Sequence, residues 1–292
     1  MAMFRGIFPA LITPFKTNGA LDTDALQRVI ERNVGEGVDG FYISGSTGES
    51  FMMTNEQRRE LTSEVVRIVA GRVKVIVNIG SFSLDQALDM ALHAKDVGVD
   101  AISSVPPFYF PFNKDEIRDY YLDLQKGAGL PMIVYNIPKM SGVSFSTADL
   151  LDMLAREGIV GIKQTTLDLF QTETIVRKMP DMSVFNGLDE TFLPALSVGV
   201  RAMIGSTASI MPRMFKRIMA AHEKGDNAEA LRLQGVVNGI VEKLVSVGIF
   251  KGVKTVLQLQ GIDCGVCKKP FKPLDDKAMS IVKAAYDEIN NQ

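Results

Sequence analysis

The chain has 292 residues, of which 46% are hydrophobic, and a net charge of -2, which allows one large domain or two small ones. No apolar run approaches the roughly 20 residues of a membrane span, and the first residues lack the apolar core of a signal peptide, so we expect a cytoplasmic protein. The balanced charge and the lack of a Lys/Arg stripe with interleaved aromatic residues argue against nucleic-acid binding.

Short apolar runs alternate with amphipathic stretches, which is the pattern of βα units. The expected strands cover residues 6–12, 40–44, 73–78, 101–105, 131–136, 160–163, 183–185 and 202–204. The expected helices cover residues 23–36, 54–70, 83–97, 113–126, 146–156, 168–178, 189–198 and 211–224. The remainder of the chain is expected to be wholly helical, with 228–247 and 277–289 as its clearer helices.

Eight βα units over roughly 220 residues predict a TIM (β/α)8 barrel, whose usual size is about 250 residues. Gly-Val-Asp-Gly or a close variant recurs at 37–40, 98–101 and 199–202, where the glycine can end a helix before the next strand. An open, doubly wound sheet is the alternative, although no G-x-G-x-x-G motif follows the first strand. We expect a barrel over residues 1–225 and a C-terminal helical extension, residues 226–292, packed on it.

A lysine and a tyrosine end two neighbouring apolar strands. Lys163 follows the apolar run 158–162, and Tyr135 closes the preceding strand. Buried lysines are rare, because an ammonium loses its hydration in an apolar interior. The pair is consistent with an amine nucleophile beside a phenolic proton carrier. A lysine that extends its ammonium from the strand end into water is the alternative.

Hydroxyl groups cluster after the second and eighth strands, at the end of a TIM barrel where active sites lie. Ser46 and Thr47 stand between glycines in Gly45-Ser46-Thr47-Gly48-Glu49, and Gly205-Ser206-Thr207 follows strand eight. Backbone N–H groups and hydroxyls in such a loop can hold an anion. An ordinary turn is the alternative interpretation of the first motif.

Two further loops are unusual in composition. Asp189 and Glu190 follow strand seven, where they could complement a helix dipole or accept hydrogen bonds from the hydroxyls of a polyol. Strand four leads into Pro106-Pro107-Phe108-Tyr109-Phe110-Pro111-Phe112, and four exposed rings would leave a large apolar patch in water. We therefore expect this aromatic loop to be covered, either by another subunit or by the barrel rim.

Metal and redox chemistry are not expected. Cys264 and Cys267 have the C-x-x-C spacing, but a tetrahedral zinc site needs four ligands and no second pair exists. His93 and His222 each fall inside a predicted helix, away from other possible ligands. The cysteines are interpreted as reduced and buried.

The amine, the phenols and the hydroxyl clusters suit a lysine that forms an imine with a ketone bearing a carboxylate. Four motifs occur in order between residues 6 and 273: G-S-T-G-E, Y-N-I-P, G-I-K-Q-T and N-G-L-D-E. With these motifs the chain resembles the pyruvate-dependent class I aldolases, a family that includes N-acetylneuraminate lyase and dihydrodipicolinate synthase. The resemblance implies that Lys163 is the Schiff-base lysine, that Tyr135 shuttles protons, and that no metal or cofactor is needed. It also implies a homotetramer, in which Ser46 and Thr47 hold the pyruvyl carboxylate and Tyr109 reaches the partner subunit's Ser46.

Within the family the chain is most similar to the sialic-acid lyases. Met140 stands where dihydrodipicolinate synthases have an arginine that binds a substrate carboxylate, and the adjacent Lys139 lacks the bidentate geometry of arginine. The residues that match sugar-binding positions of sialic-acid lyases are Thr165, Gly187, Asp189, Glu190 and Ser206. The resemblance therefore implies reversible cleavage of N-acetylneuraminate to N-acetylmannosamine and pyruvate.

Two departures from the sialic-acid lyase pattern lie near the expected sugar site. Thr166-Leu167-Asp168 replaces the usual Ser-Gly-Asp, and Ser209 stands where many of these enzymes have asparagine. The alternatives are therefore an aldolase or dehydratase for another 2-keto-3-deoxy sugar acid, a dihydrodipicolinate synthase, or a non-catalytic barrel that binds a keto acid.

Overall fold

The structure is a computed structural model that describes residues 2–292. Its strands are β1 (Gly6–Pro9), β2 (Gly40–Ile43), β3 (Lys74–Asn78), β4 (Ala101–Ser104), β5 (Met132–Asn136), β6 (Ile159–Gln164), β7 (Ser183–Asn186) and β8 (Ala202–Gly205). Strands consecutive in sequence from β2 to β8 pair in parallel, and β8 pairs with β1. A parallel bridge between Ala10 and Tyr42 joins the two ends of the sheet. The TIM barrel prediction is confirmed, and the open sheet is wrong.

Helices alternate with the strands. They are α1 (Thr23–Gly35), α2 (Asn55–Val69), α3 (Leu84–Val97), α4 (Lys114–Ala128), α5 (Pro138–Ser141), α6 (Thr147–Leu154), α7 (Leu169–Lys178), α8 (Phe192–Ser197), α9 (Pro212–Glu223), α10 (Asn227–Val247), α11 (Ile249–Leu259) and α12 (Asp276–Asn290). Thr54 caps α2 in a reciprocal capping box with Gln57, and Ser83 caps α3 by accepting the N–H of Gln86. These two starts are as the sequence predicts.

The structure corrects several expected boundaries. The first strand ends at Pro9 and not at residue 12, although the next two N–H groups still bond to its neighbours, Ala10 to the Gly205 carbonyl on β8 at 2.8 Å and Leu11 to the Tyr42 carbonyl on β2 at 2.9 Å. The expected helix over 189–198 begins as a three-residue 3-10 turn and becomes α-helical only at Phe192. The short helix α5 was not expected; Pro138 starts it directly after β5.

The segment after residue 225 is not wholly helical, contrary to expectation. Residues 260–275 are irregular, and glycines with positive φ (Gly261, +89°; Gly265, +66°) together with Pro270 and Pro273 account for the interruption. Helix α10 packs against α9 and α12, and α11 packs against α10. The expected domain boundary after residue 225 stays a prediction.

No single helix among residues 2–292 is long and apolar enough to cross a bilayer; α10 and α11 reach that criterion only together, and they bend by 112° between them.

Aromatic side chains fill the barrel from its amino-terminal side. Phe4 precedes β1 and lies 6.1 Å from Phe8 and 6.0 Å from Phe185 between ring centroids, and Phe8 and Phe185 meet edge to face at 5.4 Å. A second apolar layer packs between the sheet and the helices. The barrel is therefore a packed core, which leaves the carboxyl ends of the strands as the place for polar side chains.

Candidate active site

Lys163 and Tyr135 lie side by side inside the barrel. They are directly paired in the β5–β6 register, and each side chain points into the interior, with exposed fractions of 5% for Lys163 and 3% for Tyr135. The Nζ atom of Lys163 is 4.0 Å from the centroid of the Tyr135 ring. A lysine this deeply buried is not one that extends its ammonium into water.

Tyr42 is a third member of this group that the sequence did not reveal. Its ring centroid lies 4.5 Å from Lys163 Nζ and 5.9 Å from the Tyr135 ring, which it meets edge to face. Its hydroxyl donates to Ser103 Oγ at 3.2 Å. Burial, and then the neighbouring Tyr135, raise the pKa of the Tyr42 phenol well above its usual value. Tyr42 is therefore a neutral aromatic wall of the lysine pocket.

The loop after β2 brings its hydroxyls to those after β8. Thr47 is buried, and its Oγ1 lies 2.7 Å from Ser206 Oγ. The loop is fixed from within by the Glu49 N–H, which donates to the Ser46 carbonyl at 3.1 Å. Thr13 Oγ1, from the segment that follows β1, donates to the Gly48 carbonyl at 2.7 Å. The two hydroxyl clusters of the sequence thus form one polar rim at the carboxyl ends of the strands.

Asp189 is buried on this rim and bound by Thr207. The backbone N–H and the Oγ1 of Thr207 both donate to Asp189 Oδ2 at 2.8 Å, while Oδ1 has no hydrogen-bond partner among residues 2–292. Burial raises the pKa of the Asp189 carboxyl to about 6, and it outweighs the two hydrogen bonds from Thr207, which lower the pKa. Gly205 leaves room for Oδ1, since a Cβ there would collide with that atom.

The other residues expected to bind a sugar lie around Asp189. Thr165, Gly187, Glu190 and Ser206 are half-buried. Thr165 Oγ1 is buried without a hydrogen-bond partner, and Gly187 makes room for it because a Cβ there would overlap this oxygen. The Glu190 carboxylate makes no hydrogen bond or ion pair with the residues the structure describes. The rim therefore offers unpaired acceptor and donor groups beside the lysine strand.

The aromatic loop is divided between the barrel rim and solvent. Phe108 packs against Phe51 and Phe82, with both ring centroids 4.9 Å away. Tyr109 is 84% exposed, has a φ of +81°, and contacts the Phe110 ring at 5.1 Å. Within residues 2–292 its hydroxyl has no hydrogen-bond partner, so a single chain does not bring Tyr109 to Ser46. Packing against the barrel rim therefore covers the Phe108 ring, but it leaves the Tyr109 ring in solvent.

An apolar cavity of about 270 Å³ opens beside this rim. Ser46, Ile137 and Met140 line it, together with Phe271 from the irregular segment near the C-terminus. Met140 thus lines the cavity, while the exposed Lys139 is not among the lining residues.

No group of three or more His, Cys, Asp or Glu side chains within the described chain is arranged to hold a metal ion. Cys264 and Cys267 are free and buried. Burial raises the pKa of each thiol to about 12, which keeps both protonated near neutral pH. These thiols are not activated for redox chemistry.

Comparisons with known proteins agree with the motif resemblance. The model of the dihydrodipicolinate synthetase family matches residues 3–289. The N-acetylneuraminate lyase of Citrobacter koseri is 38% identical over 287 residues, which cover 98% of this chain and 97% of that protein. A Clostridium difficile structure, CdNal in complex with mannosamine, superposes with a TM-score of 0.95 at 32% identity and covers 99% of this chain and 100% of its own. N-acetylneuraminate lyase from Fusobacterium nucleatum gives 0.93 at 32% identity, with 98% of each chain covered.

The resemblance inferred from the four motifs is confirmed: this chain belongs to the dihydrodipicolinate synthetase family.

Proposed function

We propose that this protein is a Schiff-base aldolase that cleaves N-acetylneuraminate reversibly to N-acetylmannosamine and pyruvate. The observation that carries the proposal is the burial of Lys163 against the rings of Tyr135 and Tyr42 at the carboxyl ends of the strands. Relatives and structural neighbours named N-acetylneuraminate lyase support the choice of substrate.

The proposed reaction needs one amine and one proton carrier. The neutral Lys163 amine attacks the C2 ketone of the open-chain sugar, and loss of water with uptake of one proton, which the final hydrolysis releases again, leaves a protonated imine. Tyr135 relays the proton of the C4 hydroxyl away as the C3–C4 bond breaks, and the electron pair of that bond forms an enamine. C4 leaves as the aldehyde of N-acetylmannosamine. A proton returned to C3 and hydrolysis of the imine release pyruvate and free Lys163.

The remaining residues bind the two ends of the substrate. Ser46 and Thr47 would hold the pyruvyl carboxylate, and the hydrogen bond between Thr47 and Ser206 supports a shared polar site there. Thr165, Gly187, Asp189, Glu190 and Ser206 would bind the sugar hydroxyls, for which the unpaired Asp189 Oδ1 and Thr165 Oγ1 are suitable. Met140 cannot bind a second carboxylate, which argues against a dihydrodipicolinate synthase.

Assembly and location are part of the same proposal. A homotetramer would cover the exposed Tyr109 and Phe110 rings and allow Tyr109 to reach the partner subunit's Ser46. A metal-free reaction in the cytoplasm follows from the resemblance and from the composition, and both remain predictions.

A different 2-keto-3-deoxy sugar acid is the second candidate. The departure at Thr166-Leu167-Asp168 favours this second candidate. Leu167 is 74% exposed in the loop after β6, so its side chain is free to contact a bound sugar acid. The departure at Ser209 is weaker support for a different substrate, since the Ser209 hydroxyl is fully buried and donates to the Ala10 carbonyl at 3.3 Å.

Pyruvate release by the purified protein tests the proposal. N-acetylneuraminate and 2-keto-3-deoxygluconate are compared as substrates, each with and without EDTA. Preferential release from N-acetylneuraminate, undiminished by EDTA, is expected. Release from the smaller acid alone would overturn the substrate assignment, and loss of activity with EDTA would overturn the metal-free mechanism. A borohydride-trapped pyruvate adduct without turnover of either acid would indicate a non-catalytic keto-acid-binding barrel.

A further inference from the structure

A buried ion pair joins the hydroxyl loop after β2 to helix α11. Lys254 Nζ lies 2.7 Å from Glu49 Oε1, and the exposed fractions of the two side chains are 3% and 0%. Desolvating two charges costs several kcal/mol per ion, so a buried pair is weak evidence for a stability role. Its place in the fold suggests a different purpose.

Glu49 belongs to the same loop as the hydroxyls that would hold the substrate carboxylate. It adopts the left-handed conformation (φ 60°, ψ 33°), and its N–H donates to the Ser46 carbonyl at 3.1 Å. Its second carboxylate oxygen, Oε2, accepts the Lys268 N–H at 2.7 Å. Both oxygens are therefore bound by the C-terminal part of the chain, which makes Glu49 a fixed point of the loop.

Lys254 is itself held in place from three sides. It projects from α11 and donates to the Val266 carbonyl at 3.3 Å, and its Nζ lies 4.6 Å from the Phe15 ring centroid. Val266 and Lys268 both belong to the irregular segment 260–275. The C-terminal extension thus binds the hydroxyl loop through the buried Glu49 carboxylate.

We propose that Lys254 is a positioning residue for the substrate carboxylate: through Glu49 it sets the backbone from which Ser46 and Thr47 reach the pyruvyl group. This inference rests on the proposed function. The carboxylate contact exists in the bound ground state as well as in the transition state, so its loss weakens pyruvate binding and raises KM more than it lowers kcat.

The chain offers a matched control at the turn that follows β7. Gln234 on α10 is also buried, and its Nε2 donates to the Asp189 carbonyl at 3.1 Å while its Oε1 accepts the Leu193 N–H at 2.8 Å. It ties the same extension to the turn that carries Asp189 and Glu190. Gln234→Leu therefore disturbs an equally buried anchor that does not contact the hydroxyl loop.

The experiment measures borohydride trapping of pyruvate as a function of pyruvate concentration. The variants are Lys254→Met, Glu49→Gln, Lys254→Arg and Gln234→Leu, each checked for fold by circular dichroism. In Lys254→Met and Glu49→Gln the half-saturating pyruvate concentration should rise about tenfold or more, since a displacement of about 1 Å in a positioning contact can cost about a hundredfold. Lys254→Arg should recover most of the loss, and Gln234→Leu should stay within about twofold of the wild type.

An unchanged pyruvate half-saturation in a folded Lys254→Met or Glu49→Gln would overturn the inference. So would an equal rise in Gln234→Leu, which would indicate a general effect of loosening the extension. If Lys254→Met does not fold, Glu49→Gln decides by the same criterion. Trapping requires only the Lys163 imine, so the inference survives an error in the sugar assignment, whereas a wild type that traps no pyruvate contradicts the proposed function itself.

Discussion

The Nζ atom of Lys163 lies 4.0 Å from the centroid of the Tyr135 ring, across the β5–β6 pair in which the two residues stand directly opposite. The amine is buried in an aromatic pocket, close to a phenol that can carry protons. In the proposed mechanism the amine forms the imine and the phenol carries the later proton transfers, so substitutions at the two positions should have different effects.

Lys163→Ala should abolish both turnover and imine trapping, with each falling more than about a thousandfold because no other group can form the covalent intermediate. The measurement is pyruvate release from N-acetylneuraminate together with borohydride trapping of labelled pyruvate. Lys178→Ala, at the exposed end of α7, serves as the control for loss of a lysine. Near-normal turnover in Lys163→Ala would contradict the mechanism.

Tyr135→Phe should lower turnover by about a hundredfold or more, the usual size of a general acid–base contribution, and should change pyruvate half-saturation much less. The ring remains in place against Lys163, and only the proton carrier is removed. Steady-state rates and the trapping curve give the two quantities. Comparable losses in both would show that Tyr135 has a structural role.

The Tyr42 ring should stabilise the cationic imine nitrogen, because it lies 4.5 Å from Lys163 Nζ and is out of water. Tyr42→Phe keeps the ring and should trap pyruvate nearly as well as the wild type. Tyr42→Leu should reduce trapping by about fivefold to thirtyfold, as expected for a desolvated cation–π contact of about 1–2 kcal/mol.

Thermal unfolding of both Tyr42 variants separates this effect from the cavity that leucine leaves. If Tyr42→Phe and Tyr42→Leu lose trapping equally, the hydroxyl and its bond to Ser103 matter and the ring does not.

The fold and the outline of the site could be predicted from sequence because both depend on local patterns. Apolar runs alternating with amphipathic stretches define βα units, and in a barrel the active site lies at the carboxyl ends of the strands. This pattern predicts Lys163 and Tyr135. It does not predict Tyr42, since an aromatic residue inside an apolar strand has the same pattern as an ordinary core residue.

The interactions that hold the site together join residues far apart in sequence, and no local pattern encodes them. Thr207 binds Asp189 across two strand ends, and Lys254 reaches Glu49 from the C-terminal extension. The irregular course of segment 260–275 does have a local signal in Gly261, Gly265, Pro270 and Pro273, but its hydrogen bond from the Lys268 N–H to Glu49 has none.

Asp189 should make stability depend on pH in the acidic range. The carboxyl ionises near pH 3.8 in the unfolded chain and at about 6 in the folded protein, so between these values the folded protein binds more protons and the free energy of unfolding falls as pH rises. The stabilisation is fully present below about pH 4 and lost above about pH 6, with a maximum of roughly 3 kcal/mol.

Asp189→Asn removes this titration and should flatten the pH dependence between pH 4 and 6, although its stability at any one pH also reflects the altered hydrogen bonds to Thr207. Urea unfolding at several pH values measures the slope for the wild type and the variant. Asp123→Asn, at an exposed position on α4, controls for the loss of a carboxylate. If the wild type and Asp189→Asn have the same slope, then the pKa of Asp189 is not raised in the folded protein, and the Thr207 hydrogen bonds offset the cost of its burial.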